Sequence, residues 1–268
     1  MAKKAFGWEK HVLSLLRHPN IVKLRDVLED ERYLYIIYEY AKGGDLFDYV
    51  KEHGKMSERE ARRFYVQILV GMLHAHSNCV IHRDLKLENI YMDNDDGATC
   101  SIIIGDWGFA GRWSPSVKIE KDFPGSVHFA APEMWEARPY TGPEVDVWSL
   151  GVLLYSMVTA RMPFMGKNDL ETYKLITSLT YTIPSSISDS LRDLISSILV
   201  KDGTGRPTIQ QMLSHPWISL DGPVPSVLRP TISLPSSNPV PRRTGGNISQ
   251  EVAVRLQQEQ RTRPGKSY

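Results

Sequence analysis

The sequence predicts an α+β fold in two lobes. Three observations predict it: two runs rich in β-branched and aromatic residues lie within the first 41 positions, helical periodicities follow one another from there to about position 220, and no repeat interrupts them. Three divisions follow. Residues 1–41 read as a helix plus a hairpin, 42–220 as a helical unit, and 221–268, where Pro, Ser, Asn and Gly dominate, as a disordered tail.

Between positions 6 and 16, Glu9, Leu13 and Leu16 fall at i, i+4 and i+7, so one face of a helix carries all three; it is expected to end before His18-Pro19. Residues 21–28 and 33–40, joined by the polar stretch 29–32, read as an antiparallel hairpin. After Gly43-Gly44, Asp45 is placed to cap a short helix, and Ser57 with Glu60 spells a capping box ahead of a long one. In that helix Ala61, Phe64, Tyr65, Ile68, Leu69, Met72, Leu73 and His76 keep the 3.6-residue period. Residues 80–113 read as short strands and loops. The stretch 145–158 is apolar nearly all round, the pattern of a helix buried in the middle of a helical lobe. Further helices are expected at 167–178 and 187–200, a short one after Arg206-Pro207, and a loose one within 250–260.

With 32 basic against 31 acidic side chains, the net charge of +1 provides no broad field to attract nucleic acid or an anionic membrane, so any phosphate chemistry has to be local. The two cysteines, Cys79 and Cys100, form no CxxC pair; buried thiols, a reducing compartment and no structural zinc are expected. The opening MAKKAFGWEK has no apolar core, and the longest apolar tract, 145–160, contains Asp146 and is shorter than a membrane span. The expectation is a cytoplasmic or nuclear chain with no nucleic-acid and no membrane partner.

The middle of the chain spells that local chemistry. HRDLKLEN occupies 82–89, Asp106-Trp107-Gly108 and Ala131-Pro132-Glu133 follow, and Asp146-Val147-Trp148-Ser149 and Arg206-Pro207 lie beyond. In this order and spacing the motifs resemble the HRDLxxxN, DFG and APE set of the eukaryotic-type serine/threonine protein kinases, although any one of them alone is a weak signal. The resemblance covers about residues 6–217, and LRHPNIV, GSVHFAAPE and HPW are most similar to the calcium/calmodulin-dependent and AMP-activated branch. It implies a protein-kinase-like two-lobed fold, ATP and magnesium (Mg2+) as cofactors, and transfer of the γ-phosphate to Ser or Thr of protein substrates.

Phosphoryl transfer needs a carboxylate that orients the attacking hydroxyl and takes its proton, and oxygen ligands that hold magnesium against the phosphates. Asp84 suits the first task, and Asn89 and Asp106 suit the second. Lys86 would set positive charge where the transferring group gains negative charge. Singly, each of the four reads as a polar loop residue; together they read as a catalytic set. By resemblance, Glu39 and Ala41 bind adenine through the hinge backbone, and Asp45 reaches the ribose while also capping its helix. Tyr38 closes the back of the adenine pocket and Tyr91 lies under the adenine. HRDLK together with Ser126 after Gly125 implies a Ser or Thr acceptor. Glu88 and Asp45 match acidic positions that receive substrate arginines, whereas Ser156 stands where relatives often carry a second glutamate, so a modest basic preference is expected.

The resemblance also assigns regulatory positions. Asp122 falls where many relatives carry a phosphorylated threonine that pairs with the arginine before the catalytic aspartate, here Arg83; a permanent carboxylate pairing and a solvated loop charge are equally open readings. Glu133 and Arg206 match a buried ion pair, Asp146 a cap on the catalytic-loop backbone, and Glu9 the helix glutamate that pairs with a strand lysine. Only eight residues precede Glu9. The expectation is therefore a complete helical lobe with a truncated strand lobe, lacking the Gly-rich loop and the lysine, for which Lys3 and Lys4 are too near in sequence to substitute. Weak turnover follows from that expectation, and the alternative is a pseudokinase or binding module. Other candidates read as structure: His74 and His76 are wrongly spaced for a zinc pair, 93–97 is a strand turn rather than a calcium loop, and Trp135, Trp148 and Trp217 are packing residues. Trp107 replaces the usual phenylalanine.

Overall fold

A computed structural model describes residues 2–30, 33–96, 99–119 and 125–220, with side chains from residue 7 onward except at 34. Helix α1 (Ala2–Leu15) starts one turn earlier than its apolar pattern announces, so Lys3 and Lys4 belong to the same helix as Glu9. Its packing face is the expected one: Glu9, Leu13 and Leu16 are buried, with Val12 between them. Strands β1 (Leu24–Glu29) and β2 (Leu34–Tyr38) pair antiparallel, Glu29 opposite Leu34 and Leu24 opposite Tyr38, with a register shift between Leu24 and Asp26.

The run predicted as one strand over 21–28 is divided. Ile21 lies beside Ile104, the Val22 amide donates to the Ile104 carbonyl at 2.9 Å, and the Ile104 amide donates to the Asn20 carbonyl at 2.9 Å. Ile21 and Val22 bury their side chains there, whereas Leu28, Tyr35 and Ile37 of the hairpin stay exposed. Apolar burial against the helical unit outweighs continuation of the hairpin.

Asp45 caps α2 (Leu46–His53) by accepting the Asp48 amide at 2.9 Å. Helix α3 (Glu58–Ser77) buries all eight residues of its predicted stripe. Its cap is half of the expected box. Ser57 accepts the Glu60 amide, but the Glu60 carboxylate takes the Tyr49 hydroxyl at 2.6 Å instead of closing back on Ser57. A complete capping box stands elsewhere, between Thr208 and Gln211.

Two further ladders sit below the cleft: β3 (Val80–Ile81) pairs with β6 (Gly111–Arg112), and β4 (Ile90–Met92) with β5 (Ile102–Ile104). After the short α4 (Pro132–Trp135) comes α5 (Pro143–Thr159), in which every residue from 145 to 158 is buried. Then follow α6 (Asp169–Ser178), which packs on α4, α7 (Asp189–Ile198), which packs on α5, and α8 (Ile209–Leu213) and α9 (Pro216–Ser219), which pack on α3. Gly151 permits a close crossing of α5 and α7, since a Cβ there would lie 2.5 Å from Ile198 Cγ2.

Trp148 stacks on Phe164 with ring centroids 5.5 Å apart, and Trp217 donates to Glu58 at 2.9 Å; both indoles are fully buried. Trp135 is only half-buried, tilted against Tyr173. Cys100 is buried, but Cys79 is half-buried in the positive-φ turn that ends α3, a position set by the turn and not by thiol packing. Among the described residues no helix is long and apolar enough to cross a membrane and no cluster of metal-ligating side chains occurs. Residues 31–32 of the hairpin turn, Asp122, and the segments predicted as tail and as a helix over 250–260 lie outside the described residues.

Candidate active site

The loop 82–89 leaves β3 and is pinned from below by α5. The Asp146 carboxylate accepts the His82 amide at 2.9 Å, the Arg83 amide at 2.8 Å and His76 Nε2 at 2.8 Å. Burial alone would raise this carboxyl, but the bonds and positive charge of its partners outweigh it and hold it below the usual aspartate value. The pinning explains how Arg83 keeps φ at +68°, a conformation costly for a side chain of its size. His82 Nδ1 accepts the Asp84 amide at 3.2 Å, which leaves Nε2 to donate to the Gly105 carbonyl at 2.9 Å. One imidazole thereby ties the loop to the segment bearing Asp106, with the buried Trp107 ring against it at 4.6 Å.

Three of the predicted residues converge on one carboxylate. Asp84, only 3 % exposed, accepts Lys86 Nζ at 2.8 Å and Asn89 Nδ2 at 3.2 Å, both on Oδ2. Asn89 Nδ2 also donates to the Asp84 carbonyl at 2.8 Å, so both amide hydrogens are used and Asn89 Oδ1 is directed away from Asp84. Lys86 Nζ bonds the Ser126 hydroxyl at 2.9 Å, and the Ser126 amide reaches Asp84 Oδ1 at 2.7 Å.

Asp106 stands at φ +53° at the head of a 3-10 turn, Trp107–Phe109. Gly108 leaves open a space that a Cβ would fill, 3.4 Å from Asp106 Oδ1 and 3.8 Å from Glu9 Oε2. Glu9 hangs into this region from α1 and accepts the Tyr38 hydroxyl at 2.5 Å. Burial pushes the Glu9 carboxyl up, the Asp106 charge adds to that, and the Tyr38 bond opposes it. Tyr38 is itself raised, first by burial and then by its bond to Glu9.

Above these groups a cleft of about 660 Å³ is lined by Val22, Tyr38, Ala41, Asp45, Tyr91 and Asp106, among others. The Glu39 side chain turns towards β1, accepting the Lys23 amide at 3.2 Å and lying 3.5 Å from Arg25. Among the described residues, no backbone partner is found for the Ala41 amide or for the carbonyls of Glu39 and Ala41. The edge of the Tyr91 ring comes up against Gly105, where a Cβ would stand 2.5 Å from Cε2.

At the base, Glu133 and Arg206 form a two-pronged buried pair at 2.6 and 2.8 Å. Ser156 is buried within α5, its hydroxyl donating to the Val152 carbonyl, so it does not face a substrate. Sequence reasoning missed the Tyr38 bond to Glu9 and the Ser126 amide on Asp84; the only trace of the second is the glycine before Ser126.

The protein kinase domain family model matches residues 1–218 of this chain. The chain belongs to that family, and its α+β architecture is the kinase-like one. It is 40% identical over 211 residues to a probable serine/threonine-protein kinase, MARK-A, of Dictyostelium discoideum, a match covering 79% of this chain and 19% of that protein. It is also 38% identical over 242 residues to the protein kinase kin1 of Schizosaccharomyces pombe, covering 89% of this chain and 27% of that protein. The chain thus spans roughly a fifth to a quarter of the length of these relatives.

Proposed function

We propose that this chain transfers the γ-phosphoryl group of magnesium-ATP to Ser or Thr hydroxyls of protein substrates. The observation that carries the reading is the Asp84 carboxylate, held by Lys86, Asn89 and the Ser126 amide, in a chain whose Asp106 lines a nucleotide-sized cleft. Asp84 takes the proton of the attacking hydroxyl, and Lys86 sets its charge beside the transferring group.

The donor set fits magnesium. Asn89 Oδ1 and the Asp106 carboxylate are hard oxygen donors, and the space kept open by Gly108 lies against Asp106. When bound there, magnesium neutralises the phosphates. The Glu39 and Ala41 backbone suits the adenine edge, Tyr91 its face, and Asp45 the ribose. Glu88 and Asp45 support a modest preference for basic substrates. Arg83, whose Nε donates to the Phe109 carbonyl at 2.8 Å, braces the turn that follows Asp106; a pairing with Asp122 belongs to this proposal.

One observation favours a second reading, a binding module without turnover: the partner found for Glu9 among the described residues is the Tyr38 hydroxyl and not a cation. The purified chain, incubated with magnesium-ATP and a basic Ser/Thr peptide, separates the two. The kinase reading expects phosphate incorporation that Asp84→Asn abolishes while nucleotide binding is kept. Binding without incorporation, or incorporation untouched by Asp84→Asn, overturns it.

A further inference from the structure

The Asp84 carboxylate has two oxygens in unlike surroundings, and the difference decides which of them does the chemistry. A carboxylate oxygen accepts about two hydrogen bonds. Oδ2 already has two, from Lys86 Nζ at 2.8 Å and Asn89 Nδ2 at 3.2 Å. Oδ1 has one, from the Ser126 amide at 2.7 Å. Neither donor on Oδ2 is loose, because Lys86 is also bonded to the Ser126 hydroxyl at 2.9 Å and Asn89 to the Asp84 carbonyl at 2.8 Å. A hydroxyl approaching Asp84 therefore finds its acceptor site on Oδ1, beside the Ser126 peptide.

That peptide is where it is because residue 125 is glycine. Gly125 stands at φ +103°, where a side chain is strained whatever the space around it. Its surroundings forbid a side chain as well: a Cβ would lie 2.5 Å from the Arg83 carbonyl oxygen and 3.0 Å from Asp84 Oδ1. The Arg83 backbone cannot retreat, since its amide is fastened to Asp146 at 2.8 Å. Any side chain at 125 would lift the 125–126 peptide off the carboxylate.

We infer that Asp84 Oδ1 is the proton-accepting atom and that the Ser126 peptide N–H, delivered by Gly125, is a positioning group that fixes it. The inference rests on the kinase reading above. In the step it serves, the substrate hydroxyl gives its proton to Oδ1 and its oxygen forms the new bond to the γ-phosphorus. The bond from that phosphorus to the β–γ bridging oxygen breaks, and ADP leaves with the electron pair. The Ser126 N–H takes no part in the bond changes. It holds Oδ1 in the plane and direction from which the proton is accepted, and alignment of this kind is most of what a protein contributes to phosphoryl transfer.

The decisive comparison uses Gly125→Ala, Asp84→Asn and the double variant in the chain with magnesium-ATP. Gly125→Ala is expected to lower kcat at least about ten-fold while leaving the nucleotide KM within about two-fold, because it disturbs the acceptor and not the cleft. Asp84→Asn should then cost markedly less in the Gly125→Ala background than alone, a coupling that a merely structural glycine would not show. Ser126→Ala keeps the amide and is expected to lose less than Gly125→Ala. An unchanged kcat in Gly125→Ala, or fully multiplicative losses in the double variant, overturns the inference.

A second measurement needs neither turnover nor a Gly125 variant. The Ser126 amide proton should resonate downfield in the unmodified chain and move upfield in Asp84→Ala; an amide indifferent to that change refutes the contact. If the unmodified chain shows no Asp84-dependent transfer, the kinase reading falls, while this resonance still reports on the positioning contact by itself.

Discussion

Replacing Arg206 by alanine removes a guanidinium that is 1% exposed and makes five hydrogen bonds. Two go to the Glu133 carboxylate at 2.6 and 2.8 Å, and three go to the carbonyls of Glu144, Val200 and Lys201 at 2.7, 3.0 and 3.3 Å. The plane also lies 5.0 Å over Trp148. The variant leaves a Glu133 side chain that is 5% exposed with its charge unanswered, and breaking one partner of such a pair costs about 3–5 kcal/mol. In a domain of this size each kcal/mol lowers Tm by about 2–4 °C, so a fall of about 6–20 °C is expected. Differential scanning calorimetry of Arg206→Ala, Glu133→Ala and the double variant reads both the size and the coupling. Arg206→Lys, which keeps the charge but loses the fork, should fall between wild type and alanine. A loss below about 3 °C in Arg206→Ala refutes the reasoning. So does a Glu133→Ala penalty that is as large without Arg206 as with it.

Gly151→Ala is expected to destabilise the fold by about 1–3 kcal/mol, because the added methyl meets the buried Ile198 of α7 at 2.5 Å; a urea midpoint equal to wild type counts against that crossing. The His18 imidazole is pushed down to about 4 from 6.5, by burial first and by neighbouring His74 second, and His74 is itself lowered by burial. The unfolded chain then binds more protons than the native one between pH 6.5 and about 4, so stability from this pair is complete above pH 6.5 and declines towards pH 4. Urea midpoints at pH 7.5 and 5 should separate more in wild type than in His18→Asn, and an equal separation would count against the burial argument.

Much of the helical unit was legible because its cause is local. The stripe from Ala61 to His76 repeats every 3.6 residues, and all eight of its members are buried. The apolar run around Leu150 could hardly be anything but an interior helix, and it is one. The motif spacing was sufficient to nominate Asp84, Lys86 and Asn89, which the structure brings onto one carboxylate. What escaped was settled by competition between distant partners. Ile21 had equal local claims on two ladders, and burial against β5 decided between them. Glu60 had a capping amide within reach and took the Tyr49 hydroxyl. Tyr38 and Glu9 are 29 residues apart, and nothing in either neighbourhood announces their bond. The Ser126 amide is a backbone group, which no residue name encodes; only Gly125 hints that two backbones come close there.

The junction at Asn20 carries a mechanical consequence. Asn20 donates to the Ile102 carbonyl at 2.7 Å and to Gln67 Oε1 at 3.1 Å, while its own carbonyl and the Val22 amide clamp Ile104. The chain is thus welded to α3 and β5 immediately after α1 and immediately before β1. A rotation of α1 and the hairpin about this weld would carry Glu9 on one arm and Tyr40 and Ala41 on the other. A rotation that draws Glu9 away from Asp106 swings the far arm as well, so the floor of the cleft and its lip change together.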